Sequence, residues 1–400
     1  MSQLKVNAIR HTGASSDAIE LNSDGSCTAK VTNNLSNRNL IINGAMNVAQ
    51  RSQSSTSGGY TVIDRWQLND NNTNVTITQS QHALTSSDTG PWAKGFRNSY
   101  SIALSAAGNG LSAASYCQLK YMIEAQDIAC SGWDYTSASS YITFSFWFKC
   151  STNQTFHARW ESYDGTAQNY PFSFTATGND TWTKITKTIP GNTNITVNND
   201  TGAGLGLSIS LFSGTDRTGT VTLNQWGAFS GSARHPDDAN TWITAGASTF
   251  EITGVQLEVG DTATEFEHLS YADELRRCHR YFHMIVDPST DTYSDDKGRQ
   301  PFMQGLVWNK DTKDCRFRGT FNVPMRASPS LYKVVGTAWF RIQVVGGVNT
   351  TSDWTLLGSW KEFFELKCTA IDAFGSDDNG MSIYAVCFNS GARVGWDAEL

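Results

Sequence analysis

The sequence predicts an all-β protein: a jelly-roll β-sandwich followed by a smaller C-terminal β-sandwich, with an extended N-terminal anchor and one short connecting helix. Three observations predict it. Charged residues make up only 17% of the 400 positions, while aromatic residues reach 12% with 13 Trp. A disordered chain would be rich in charge and poor in rings. Short segments alternate polar and apolar residues between Gly, Asn and Asp turns, and no long stretch carries a helical period. The net charge of −7 leaves no basic footprint for nucleic acid or an anionic membrane. No apolar run nears the roughly 18 residues of a membrane span, and Met1–Gly13 is too polar for a secretory signal. Neither nucleic-acid binding nor membrane insertion is expected. None of the eight Cys forms a CxxC pair, so the thiols read as reduced and mostly buried.

Composition divides the chain at residues 1–38, 39–270, 271–283 and 284–400. The first segment has no aromatic residue and cannot build a core alone. Its Ala18–Ser26 stretch reads as a strand entering an Asp24-Gly25 turn, and Cys27–Val31 as the returning strand. The apolar side of such a hairpin needs a partner. Leu4, Val6, Ile9, Ile19, Leu21 and Val31 are therefore the expected anchor residues, for association with two further copies or for docking on a larger body.

The second segment is a series of strands. Tyr141–Lys149 sets Phe144, Phe146 and Phe148 against Thr143 and Ser145, and Trp182–Ile189 alternates with period two. Phe156–Trp160, Leu205–Phe212 and Phe250–Glu258 complete the jelly-roll pattern. Residues 271–282 read as a helix with Tyr271, Leu275, Cys278 and Phe282 along one side. Ser270 is its N-cap, Asp273 and Glu274 lie in its first turn, and Arg277 and Arg280 near its end. Strands resume at 304–308, 316–323, 331–335, 338–345, 363–369, 381–388 and 393–400. Gly346–Trp360, rich in Gly, Ser and Thr, reads as a loop.

Several separated motifs carry a resemblance. Asn39–Arg51 with Asp64-Arg65-Trp66, Ile123–Asp127, Phe144–Lys149, Gly254–Gly260 and Glu274–Phe282 occur in the order found in a jelly-roll domain of bacteriophage tail-fibre and virion-fibre proteins, notably those of marine phages. The N-terminal Leu4–Asn7, the Phe321–Arg326 strand and the closing Asp397–Leu400 also resemble such proteins. The resemblance implies a trimeric structural fibre protein on the virion, made in the host cytoplasm. It would attach to other virion proteins of tail, neck or capsid through its N-terminus and contact host-surface glycan through its distal domain. A head-decoration or neck protein binding only virion proteins is the alternative, and a polysaccharide depolymerase a third reading. The jelly roll is also similar to carbohydrate-binding modules. Where those place an acidic calcium ligand after Asn-Gly, this chain has Asn47, a weaker ligand.

For sugar binding, rings supply stacking planes, and amides or carboxylates pair with hydroxyls. Trp160, Tyr163, Asp164, Asn169 and Tyr170 surround one turn of the jelly roll. Trp354 and Trp360 lie in the Gly346–Trp360 stretch of the distal domain. Trp66, Phe146 and Phe148 read as core, and Trp308 and Trp339 as strand-borne and buried. No catalytic residue is assigned, because Glu362, Glu365, Asp377 and Asp378 form no specific carboxylate pair. His279 and His283 are the nearest approach to a metal motif but lack an acidic ligand in register. No enzyme activity, cofactor or metal is expected.

Overall fold

A computed structural model describes residues 6–23, 25, 27–29, 37–286, 301–334, 340–344, 347–370, 382–387 and 393–400. The anchor residues Leu4 and Val31, the Asp377–Asp378 pair and Trp339 lie outside them.

At the N-terminus, β1 (Ala8–Ile9), β2 (Ile19–Leu21) and β3 (Cys27–Ala29) form a three-stranded antiparallel sheet. The expected hairpin is present, with Ile19 opposite Ala29 and Leu21 opposite Cys27. Not one described residue from 6 to 27 is buried. Val6, Ile9 and Leu21 hold their apolar side chains in solvent.

Twelve strands then build the sandwich. They are β4 (Ser54–Ser55), β5 (Trp66–Asn71), β6 (Ile77–Ala83), β7 (Asn98–Leu104), β8 (Tyr116–Glu124), β9 (Tyr141–Cys150), β10 (Asn153–Ser162), β11 (Gln168–Thr177), β12 (Thr183–Pro190), β13 (Ala203–Ser213), β14 (Gly227–Ala228) and β15 (Thr249–Val259). One six-stranded sheet runs β14-β11-β10-β13-β8-β5 and the other β12-β9-β15-β7-β6-β4. Aromatic residues at every second position fill the space between. Phe144 meets Trp160 edge-on at 5.2 Å, and Phe148 meets Phe174 at 4.8 Å. Trp66, Phe146 and Phe148 are core, as their alternation predicts. Two short helices, α1 (Ala125–Ala129) and α2 (Thr241–Thr244), sit within connections.

The connecting helix α3 (Tyr271–His279) starts where the sequence places it. The Ser270 hydroxyl accepts from the Asp273 N–H at 3.2 Å. Cys278 and Phe282 are buried as the spacing predicts and Leu275 is half-buried, but Tyr271 is exposed and Glu274 faces inward beside them. The burial of Glu274 has a polar cause. The Glu274 carboxylate accepts from the Asn43 backbone N–H inside the Asn39–Arg51 motif.

The distal unit contains β16 (Phe282–Val286), β17 (Pro301–Asn309), β18 (Asp314–Thr320), β19 (Ser330–Val334), β20 (Phe340–Val344), β21 (Gly347–Ser359), β22 (Phe363–Ala370), β23 (Ser382–Cys387) and β24 (Arg393–Asp397). It is all-β. Six of its strands close as β17-β18-β22-β21-β20-β23, and β16-β24-β19 form a separate sheet. The stretch read as a loop holds a strand instead: β21 pairs through Gly347–Thr350 with β20 and through Thr351–Ser359 with β22. Ladder partners along its length hold a polar sequence as a strand there.

The separated sequence motifs are the pins of this fold. Asn39 Oδ1 accepts from the Ile41 and Leu257 N–H groups, each at 3.0 Å. A methyl group on Gly44 would lie 2.0 Å from the Val255 carbonyl oxygen, so only glycine fits. Glu124 takes Arg280 in a fork at 2.7 Å for both bonds. Buried Arg51 and Arg65 reach across to Asp397 and Glu399. Two clefts, about 800 and about 770 Å³, flank α3 along this seam.

Candidate functional site

The outer face of the β14-β11-β10-β13-β8-β5 sheet gathers the unspent polar chemistry. Trp160, Leu207 and Tyr121 occupy one parity of their strands and point into the core, so their neighbours point out. Three rows cross the outer face. Gln67, Lys120, Ser208, Arg159 and Pro171 stand side by side across five strands. Asn69, Gln118, Ser210, His157 and Ser173 form the next row, and Met122, Gly206, Glu161 and Asn169 the row on the other side.

Residues 214–240 fold over part of this face. The Arg234 N–H donates to the Arg217 carbonyl at 3.0 Å, which sets the two arginines next to one another. Asn169 Nδ2 donates to the Arg234 carbonyl at 2.8 Å and fastens the segment to β11. The Arg217 guanidinium lies 3.6 Å over the Tyr116 ring, and Arg234 lies 5.7 Å from Phe229.

Four cations therefore share one surface. Glu161 is engaged by Arg159 at 2.9 Å. Lys120, Arg217 and Arg234 are partly exposed and form no ion pair among the described residues. Two of them are shifted by burial and by the neighbouring cations. Burial first, and then Arg159, push the Lys120 ammonium below its ordinary value. Burial, Arg159 and Arg217 do the same to Arg234. Burial and the Glu161 charge push the Tyr163 hydroxyl up to about 12, so it stays a neutral donor. Arg159 Nε and Asn169 Oδ1 are buried without a hydrogen-bond partner in the protein. Such a surface offers donors, positive charge and two tyrosine rings, Tyr116 and Tyr163, to an anionic polyhydroxylated ligand.

The structure divides the residues proposed from sequence. Trp160 is 0% exposed and Tyr170 3%; both belong to the core and offer no plane to a ligand. They share the inward parity of Phe156 and Phe172, which is the physical reason. Tyr163 and Asn169 lie at the candidate face. Asp164 sits at its edge, where its carboxylate is occupied by the Asn198 N–H at 2.7 Å and side-chain amide at 2.9 Å. In the distal unit, Trp354 pairs with Cys368 in the ladder, and its side chain lies outside the described residues. Trp360 is 44% exposed and stacks on Phe363 at 4.4 Å. Trp308, expected to be buried, is 56% exposed with Arg316 at 4.1 Å over its ring. Sequence reasoning missed Lys120, Arg159, Arg217 and Arg234. The one local signal was parity, since Arg159 alternates with the core residues Ala158 and Trp160.

No protein-family model matches the chain, and no curated protein sequence matches it. Among solved structures it is similar to the enzymatically active domain of tailspike protein 4 of bacteriophage CBA120. The identity is 12% and the TM-score 0.31, over 56% of this chain and 21% of that one. It is also similar to a CBM4 structure, at 13% identity and TM-score 0.29 over 55% of this chain and 98% of that one. A third likeness is to TmCBM61 in complex with β-1,4-galactotriose, at 12% identity and TM-score 0.26 over 56% and 99%.

Proposed function

We propose that the chain is a non-enzymatic, homotrimeric fibre component of a phage virion that holds an acidic saccharide on the outer face of its first sandwich sheet. The observation that carries the saccharide reading is the trio Lys120, Arg217 and Arg234, partly exposed cations with no carboxylate partner among the described residues, beside Tyr116 and Tyr163. A sugar bearing carboxylate or sulfate groups answers both features: its anions meet the cations, and its C–H faces meet the rings. Each contact is weak, but three copies on one stalk raise the effective concentration. The fibre reading is supported by the unburied N-terminal sheet, whose Val6, Ile9 and Leu21 need cover from other copies or from virion proteins.

The test is binding of the full-length protein to arrays of acidic and neutral oligosaccharides. Acidic members are retained, and K120M and R217M each weaken retention about tenfold, the worth of about 1.4 kcal/mol. Equal retention of neutral members, unaffected by either substitution, refutes the reading. A second reading rests on the exposed Trp308 and Trp360 of the distal unit. There W308A and W360A, not the charge substitutions, would abolish binding.

A further inference from the structure

His157, His235 and Asp238 take no part in the saccharide reading. His157 stands on β10, one row from Arg159. His235 and Asp238 stand three residues apart in the covering segment. All three are buried, and one donor atom from each lies within 4.8 Å of the others. His157 Nδ1 is 3.0 Å from Asp238 Oδ1, while His235 Nδ1 donates to the Pro236 carbonyl at 2.7 Å, which leaves His235 Nε2 as the nitrogen free to bind a metal. The two imidazoles stack at 5.2 Å with 19° between their planes. A tetrahedral zinc ion with bonds of about 2.0–2.1 Å holds its donors roughly 3.3 Å apart. The His157–Asp238 separation is close to that value, and the third donor lies within 4.8 Å of both.

The charge balance points the same way. The Asp238 side chain is fully buried, and it has no lysine or arginine partner among the described residues. Among the described residues its second oxygen accepts from the Ser210 hydroxyl alone, at 3.0 Å. A buried carboxylate without a compensating cation is costly. The hydroxyls of Ser210 and Ser213, 2.9 Å apart, stand beside the cluster, and Ser213 lies 3.3 Å from His235 Nε2. They can orient a water in a fourth position.

We propose that His157, His235 and Asp238 bind one zinc ion, which ties the 214–240 segment to β10. The three ligands come from two segments far apart in sequence, so no HxxxH-type spacing announces them, and the expectation of no metal was drawn from spacing alone. The site is independent of the saccharide reading. Its test uses the full-length protein, stripped with a chelator and titrated with Co²⁺ as a spectroscopic stand-in for zinc. One equivalent of cobalt develops the visible absorption of a four-coordinate ion, Zn²⁺ displaces it, and the thermal midpoint rises with either metal. H235A and D238N each abolish the absorption. A wild-type protein that gives no saturable cobalt spectrum and no zinc-dependent midpoint overturns the proposal, leaving the cluster as a hydrogen-bond network. That readout needs no variant to fold.

Discussion

Glu399→Gln tests how residues 397–400 are held against the sandwich. Arg65 is 1% exposed, and its Nη1 is bound by Glu399, itself 4% exposed. Arg51 reaches the same carboxylate at 3.5 Å and Asp397 at 2.9 Å. Burial opposes the Arg65 charge more than any other influence, and Glu399 leads the groups that restore it. Replacing Glu399 by the isosteric amide leaves a buried guanidinium with its charge uncompensated, which costs about 3–5 kcal/mol. The Tyr281 ring, 3.4 Å from the Arg65 guanidinium, and the Met122 carbonyl remain in place, so the value belongs near the lower end. Urea unfolding followed by tryptophan fluorescence reads the change as a lower midpoint at unchanged slope. The double variant R65M/E399Q should recover part of the loss, because no orphaned charge remains. A loss below about 1 kcal/mol, the worth of an exposed pair, would refute the reasoning and mean that the seam is hydrated.

His283 lies at the same seam, stacked 4.1 Å from His279, and burial followed by the His279 charge pushes it down from 6.5 to about 4. A base with a depressed folded pKa loses stability as pH falls from its unfolded value toward its folded one. The parent should therefore weaken relative to H283L by about 2 kcal/mol between pH 7 and pH 5, read from urea midpoints. Asp64 works in the opposite sense. Burial raises it from 3.8 to about 6, so it adds stability as pH falls from about 6 to 3.8, and the H283L protein should become more stable over that window. Gly44→Ala forces a methyl against the Val255 carbonyl oxygen and should cost about 3 kcal/mol or prevent folding, seen in the same unfolding assay. Sedimentation of the full-length chain should give three times the monomer mass, and I9D/L21D should shift it toward monomer.

What the sequence made legible was local. Period-two alternation located β9, β12, β13 and β15, Asp24-Gly25 located the N-terminal turn, and Ser270 located the start of α3. What stayed hidden depended on distant partners. β21 carries polar residues that read as a loop, and it is a strand because its first residues pair with β20 and the rest with β22. Trp160 and Tyr170 read as ligand-facing rings from their place around a turn, although Arg159 and Asn169 beside them hold the outward parity. The four cations come from β8, β10 and two ends of the covering segment, and only tertiary packing brings them together. The fibre-like motifs marked architecture rather than recognition: Asn39, Asn43, Gly44, Glu124 and Arg280 are all spent on internal contacts.

The proposed acidic saccharide on the outer face of the first sandwich sheet is tested by an experimental structure of the full-length protein with a bound uronic-acid oligosaccharide. Sugar carboxylates are expected within hydrogen-bonding distance of Lys120, Arg217 or Arg234, with a ring against Tyr116 or Tyr163. Density for the sugar at Trp308 and Trp360, with the Lys120 face bare, would contradict it.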